Sequence, residues 1–259
     1  MGLSFQDSGS GETLLLIHGM GSGSSAWKLI TPTLAKSFKV VSVDLPGHGG
    51  SAYDRGQAMD PHSLAISIHE QMQKHGYEKF HVVGNSFGGW IALEMAASFP
   101  QTIESITAIA PAGLWLKHSN KRGMGSLSRA LALLTYPYAK YLLRFTVMRR
   151  IGFAAVSPKW RNLSVQTCVD ATIAYGSSVG YYPAWDGMVG RRFDSPIAQS
   201  IPVTVLFGDS DNTLPKKTSQ ERSLVPAHTR WVVIEESGHA PMWDSVDQVC
   251  SEVLKTTKG

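Results

Sequence analysis

The run His81-Val82-Val83-Gly84-Asn85-Ser86-Phe87-Gly88-Gly89-Trp90 constrains this chain more than any other stretch, because a short apolar segment ends in G-x-S-x-G and passes directly into a helical pattern. A serine at the tip of such a strand-to-helix turn holds a strained backbone, so the residues two positions away on either side must lack clashing side chains. Gly84 and Gly88 meet that requirement. The turn would lift Ser86 Oγ clear of the sheet. It would also place the Phe87 N–H in the first turn of a helix, where unpaired amides and the helix dipole favour a developing oxyanion. Small residues also gather wherever a strand meets a helix, so the motif draws its weight from the strand before it and the helix after it.

A serine hydroxyl is a poor nucleophile until a base takes its proton, and that base needs a carboxylate to orient it. Both are available further along. The apolar run Val203–Phe207 leads into Gly208-Asp209-Ser210-Asp211-Asn212-Thr213-Leu214-Pro215, and Trp231–Ile234 leads into Glu235-Glu236-Ser237-Gly238-His239-Ala240-Pro241. Near the start, Leu14–Ile17 runs into His18-Gly19-Met20-Gly21-Ser22-Gly23, a glycine-rich turn able to bring a second backbone N–H to a substrate carbonyl. Val40–Val43 then leads into Asp44-Leu45-Pro46-Gly47-His48-Gly49-Gly50-Ser51.

Taken in order, these five segments resemble the α/β-hydrolase superfamily over nearly the whole chain: the HG-x-G turn, the D-x-P-G-H-G-x-S loop, the nucleophile elbow, the acid loop and the G-H base loop. Carried over by position, the resemblance implies Ser86 as nucleophile, His239 as general base and then acid, and Asp211 as the orienting carboxylate. Asp209 is the competing acid, and the spacing to Pro215 favours Asp211. The Met20 and Phe87 N–H groups would form the oxyanion hole. His18 and His48 are read as structural, and His62, His69, His75, His81, His118 and His228 as surface or packing residues.

Apolar runs alternating with amphipathic segments predict an α/β fold whose mostly parallel sheet carries helices on both faces. Strands are expected near 14–18, 40–44, 80–84, 105–110, 202–207 and 230–235, with one edge strand over Gly2–Asp7. Helices are expected near 25–36, 62–75, 87–98, 216–224 and 244–256. At 259 residues and 43% hydrophobic, the chain fits one domain with an insertion. Some ninety residues separate the strand ending near Ala110 from that starting at Pro202, more than a crossover needs. Residues 113–195 are therefore expected to form a helical cap, with 1–112 and 196–259 as the core.

No apolar run is long enough to span a bilayer and no charged-then-apolar leader is present, so a soluble, cytoplasmic protein without stable membrane insertion is expected. Gln6 stands where an acylation signal needs Ser or Thr. Cys168 and Cys250 make no disulfide framework, and no histidine or cysteine spacing suggests a metal. The chemistry should need no cofactor, and the chain should act as a monomer or homodimer.

Charge is unevenly divided. Residues 113–195 hold twelve Lys plus Arg against three Asp, a net +9, while the remainder carries −5. Arg144, Arg149, Arg150, Lys159, Arg161, Arg191 or Arg192 would attract an anionic substrate or membrane surface, or else form a solvated face paired to acids on the core. Residues 127–153 read as an amphipathic helix pair broken at Pro137, whose apolar face is expected to pack on the core rather than on lipid, with lining of an acyl pocket as the alternative. Trp115, Trp160 and Trp185 are further pocket candidates, and Asn85 and Trp115 are assigned to the substrate site. The Lys/Arg clusters lack the spacing of a nucleic-acid module.

A serine nucleophile excludes the dehalogenase and epoxide-hydrolase branches of the family, which use aspartate there. The expected activity is hydrolysis of small to medium carboxylic esters. The alternative is carbon–carbon cleavage of diketone acids from aromatic ring degradation, since GNSFGG and the Ala26-Trp27 context resemble that subfamily. Ala240 departs from it, standing where those enzymes carry tryptophan. A ligand receptor keeping the fold would be told apart by slow turnover with tight binding.

Overall fold

The computed structural model describes residues 2–117 and 125–259, the first three of the second span as backbone only. His118 therefore lies outside the described residues. Seven strands form one sheet in the order β1-β3-β2-β4-β5-β6-β7. They are β1 (Ser4–Ser8), β2 (Glu12–Ile17), β3 (Phe38–Asp44), β4 (Phe80–Asn85), β5 (Ile103–Ile109), β6 (Val203–Gly208) and β7 (Arg230–Ile234). All pair in parallel except β1, which runs antiparallel to β3 at the edge with Ser4 opposite Asp44.

The four apolar residues Leu14–Ile17 are fully buried, as a central strand covered on both faces requires. Successive side chains point to opposite faces, so Leu15 and Ile17 enter one core layer and Leu14 and Leu16 the other. Each such burial contributes about 2 kcal/mol. The first layer is closed by α1 (Pro61–Lys74) and α2 (Phe87–Ser98). Asp60 caps α1 by accepting the Ser63 N–H, and Pro61 occupies the first helical position, where no donor is missed.

Among the described residues between β5 and β6 the longer regular elements are helical: α3 (Gly125–Thr135), α4 (Thr146–Phe153), α5 (Val165–Ser177) and α6 (Tyr181–Met188). A small apolar cluster of their own, including Leu143, Phe153, Trp160 and Cys168, holds part of this segment together. The last helix, α7 (Val246–Thr257), closes the second face of the sheet through Val249 and Val253.

Three expectations need correcting. The helix expected over 25–36 is two separate turns, Ser24–Trp27 and Thr31–Leu34, because Pro32 lacks the N–H that would continue the first and instead starts the second. The helix expected over 216–224 is likewise reduced to single turns at Lys216–Ser219 and Arg222–Leu224. Residues 127–153 break at Pro137 as expected, but much of their apolar face is turned to solvent, with Leu131, Leu134, Tyr138, Tyr141, Phe145 and Met148 exposed. Trp160 is buried in the small helical cluster.

Candidate active site

β2, β4, β6 and β7 run in the same direction, so the segments leaving them converge at one edge of the sheet, where ligands bind in open α/β folds. Ser86 follows β4 and precedes α2 with φ 55° and ψ −115°, a left-handed conformation that costs a non-glycine residue about 1–3 kcal/mol. The surroundings hold it there. Ser86 N–H donates to the Ile109 carbonyl at 2.9 Å, and the Ser86 carbonyl accepts from the Trp90 and Ala112 amides at 3.2 and 2.9 Å. A Cβ on Gly84 would fall 2.1 Å from the Gly88 carbonyl oxygen, and one on Gly88 would fall 2.2 Å from that of Ile17. Both clashes are with backbone, so neither can be relieved by a rotamer.

Asp211 and His239 come together from the turns after β6 and β7. His239 Nδ1 donates to Asp211 Oδ2 at 2.9 Å, and Asp211 Oδ1 accepts the Thr213 and Leu214 amides, each at 2.8 Å. Burial alone would push the Asp211 carboxyl up, but the bond from His239 and the two amides outweigh it and hold the pKa below the ordinary value. A carboxylate only accepts, so Nδ1 carries a proton, and in the neutral ring Nε2 presents a lone pair. Asp209, the competing acid, instead accepts the Glu236 and Ser237 amides at 3.0 and 3.2 Å and so braces the histidine loop.

Three further contacts fix that loop, and none follows from a motif. Asn85 Nδ2 donates to the carbonyls of Ile109 and His239, both at 3.2 Å, which ties the histidine's backbone to the residue beside Ser86. Both amide donors of Asn85 are thus engaged within the protein, whereas the sequence assigns it to substrate. On the other side, the His239 N–H donates to the Val156 carbonyl at 2.9 Å. Asp244 joins the two segments, with Oδ2 accepting the Gly238 amide and Oδ1 accepting the Ser157 hydroxyl and the Lys159 amide. The segment between β5 and β6 therefore helps to place the histidine.

The glycine-rich turn after β2 lies against the nucleophile, where a Cβ on Gly19 would sit 3.2 Å from Ser86 Cβ. His18 is fully buried, donating from Nδ1 to the Gly19 carbonyl at 2.7 Å and accepting the Leu45 amide at Nε2. Burial lowers its pKa and keeps it neutral, as that pair of bonds requires. His48, bonded to the Pro46 carbonyl, is pushed down to about 3, chiefly by burial and then by His18. Among the described residues neither the Met20 nor the Phe87 N–H donates a turn, loop or cap hydrogen bond. His62 lies 3.5 Å from Glu94, while His69, His75, His81 and His228 are engaged by Phe99, Phe5, Ser105 and the Ile201 carbonyl.

Trp115 packs edge-on against Trp90 and donates to the Arg191 carbonyl at 2.9 Å, so it pins the chain entering β6 to α2. A residue that the sequence reading passed over is linked to the glycine-rich turn through two tyrosines. Arg129 is buried between the Tyr175 and Tyr181 rings and donates to the Ser178 carbonyl at 2.5 Å, while its Nε and Nη1 have no partner among the described residues. The same two tyrosines meet Gly21, where a Cβ would lie 2.5 Å from the Tyr175 ring. Among the described residues no three metal-binding side chains converge.

Comparison with known proteins agrees with this architecture. A pimeloyl-[acyl-carrier protein] methyl ester esterase of Vibrio parahaemolyticus is 28% identical over 255 residues, which are 97% of this chain and 96% of that protein. An uncharacterised protein of Mycobacterium tuberculosis is 27% identical over 253 residues, covering 93% of this chain and 73% of that one. Among solved structures, an esterase from Thermogutta terrifontis superposes with a TM-score of 0.75 at 21% identity, covering 99% of this chain and 93% of the other. A meta-cleavage product hydrolase from Pseudomonas fluorescens gives 0.72 at 19%, covering 99% and 94%. At those identities the two structures speak for the fold alone. The model of the alpha/beta hydrolase family matches residues 14–252, nearly the whole chain, and the protein belongs to that family.

Proposed function

We propose that the protein is a serine hydrolase that cleaves small to medium carboxylic esters through an acyl-enzyme. The observation that carries this reading is the Asp211–His239 pair, tied through Asn85 to the strained turn that presents Ser86. Similarity over nearly the full length to an ester-cleaving relative supports it. His239 Nε2 takes the Ser86 proton as Oγ attacks the ester carbonyl, and the ionised Asp211 stabilises the imidazolium that forms. The Met20 and Phe87 amides hold the tetrahedral oxyanion. His239 then protonates the leaving alcohol, and water repeats the cycle on the acyl-enzyme. Residues 113–195 act as a cap that selects the acyl and alcohol groups. Two buried free thiols, Cys168 and Cys250, fit a reducing cytoplasm.

A second reading rests on Arg129. A buried guanidinium with two nitrogens unpartnered among the described residues, set against the tyrosines that meet Gly21, suits a substrate carboxylate, as carbon–carbon cleavage of a diketone acid would need. One experiment separates the two: hydrolysis of nitrophenyl esters from acetyl to dodecanoyl, with Ser86→Ala as the blank. Fast, Ser86-dependent turnover peaking at one chain length supports the esterase. Slow turnover at every length, with Ser86-dependent cleavage of a vinylogous diketone acid, replaces it with the second reading. Turnover that persists in Ser86→Ala defeats both.

A further inference from the structure

We propose that the outer face of residues 131–151 is a docking surface for an anionic lipid bilayer, on which the protein adsorbs reversibly without spanning it. Six large apolar side chains here, Leu134, Tyr138, Tyr141, Phe145, Val147 and Ile151, are each between 61 and 74% exposed. Single exposed apolar residues are ordinary, but a run of this density marks a contact surface. Their placement is not a by-product of burying something else. In α4 the buried Phe153 and half-buried Arg149 face inward, and Val147 and Ile151 lie about half a helical turn around from them. In α3 Arg129 and Ala132 are buried, and Leu131 and Leu134 lie on the opposite side. A helix that merely covers a core puts polar residues on that outer side.

Charge decides what covers this surface. Between Glu104 and Asp170 the chain has ten Lys or Arg and no Asp or Glu. Lys140, Arg144 and Arg150 are exposed among the apolar residues, and none of them pairs with an acid among the described residues. Arg144 stacks on Tyr141, with the guanidinium 5.7 Å from the ring centroid. A second copy of this chain meeting the same face in two-fold fashion would set cation against cation with no acid to pair. An acidic protein would satisfy the cations but leave little to take up so many aliphatic and aromatic side chains. An anionic bilayer satisfies both, with apolar side chains entering the acyl boundary and cations held at the headgroups. No helix among the described residues is long and apolar enough to cross a membrane, in keeping with adsorption.

The test is co-sedimentation with vesicles of phosphatidylcholine alone or mixed with phosphatidylglycerol, which reads binding without reference to hydrolysis. The wild type should partition onto the mixed vesicles at least about tenfold more strongly than onto the neutral ones, and high salt should weaken it. A triple variant, Phe145→Ser with Val147→Ser and Ile151→Ser, and a charge variant, Arg144→Glu with Arg150→Glu, should each lose about tenfold. Both should keep wild-type melting behaviour. A wild type that stays in the supernatant with both vesicles overturns the proposal. So does a triple Ser variant that binds like the wild type, which would make the contact electrostatic only. Self-association in sedimentation velocity that the triple variant abolishes, without vesicle binding, would assign the face to a second copy instead.

Discussion

In Asp211→Asn one of the two acceptor oxygens becomes a donor, and the geometry dictates which contact suffers. Asp211 Oδ1 holds the Thr213 and Leu214 amides at 2.8 Å, and Oδ2 holds His239 Nδ1 at 2.9 Å. If the asparagine oxygen keeps the two amides, its NH2 faces Nδ1, and the ring must move its proton to Nε2 to accept that bond. Nε2 can then no longer take a proton from Ser86. The flipped amide would oppose two N–H donors and leave both unsatisfied, at about 1–3 kcal/mol each, so the first arrangement prevails. A base held in the wrong tautomer costs about 10⁴-fold in kcat, or about 5 kcal/mol of transition-state stabilisation. Initial rates on a short nitrophenyl ester, beside a thermal melt, measure the effect. Asp209→Asn is the control, since its carboxylate holds the Glu236 and Ser237 amides and the Ser210 hydroxyl rather than His239, and it should lower kcat less than tenfold. The stability difference should also vanish in acid. The folded pKa of Asp211 is depressed, so its contribution is present above the unfolded value and is lost as the pH falls through the folded one. An Asp211→Asn enzyme within tenfold of wild type, or an Asp209→Asn enzyme that is the more impaired, would refute this account.

Ser86→Gly should be inactive yet about 1 kcal/mol more stable to urea than Ser86→Ala, because glycine adopts φ 55° without strain and alanine does not. Equal midpoints would show that the turn stores no strain. Asp244→Asn should lower kcat about tenfold with little change in KM, since it weakens the bond to the Gly238 amide next to the base but touches no substrate; unchanged kcat counts against a positioning role. His48 is buried and neutral with its pKa down at about 3, so the unfolded state binds the proton first as the pH falls below about 6.5. It should therefore remove about 2 kcal/mol of stability between pH 7 and 5, and His48→Gln should flatten that slope in denaturant titrations.

Local stereochemistry was legible in the sequence because it is decided by neighbours in the chain. Gly84 and Gly88 must lack side chains for Ser86 to turn, and Leu14–Ile17 is too apolar to be anything but covered on both faces. The strand pattern, with its one short edge strand near the start, follows from the same kind of information, whereas the antiparallel pairing of that strand with β3 does not. What lay beyond reach depends on segments far apart in the chain. Asp209 and Asp211 sit two residues apart on one turn, and although the spacing to Pro215 already favours Asp211 for His239, that Asp209 braces the loop after β7 is decided by how that loop folds over it. Asp244 and Val156 carry no motif, because the contact that makes them matter spans 85 residues or so of chain. Arg129 reads as one more cap cation until Tyr175 and Tyr181 close around it. Residues 127–153 mark the same boundary most clearly. Helical periodicity specifies that a helix has an apolar face, but only the packing of Ala132, Leu143 and Phe153 determines which side is buried and so leaves the apolar face of α3 and α4 turned to solvent.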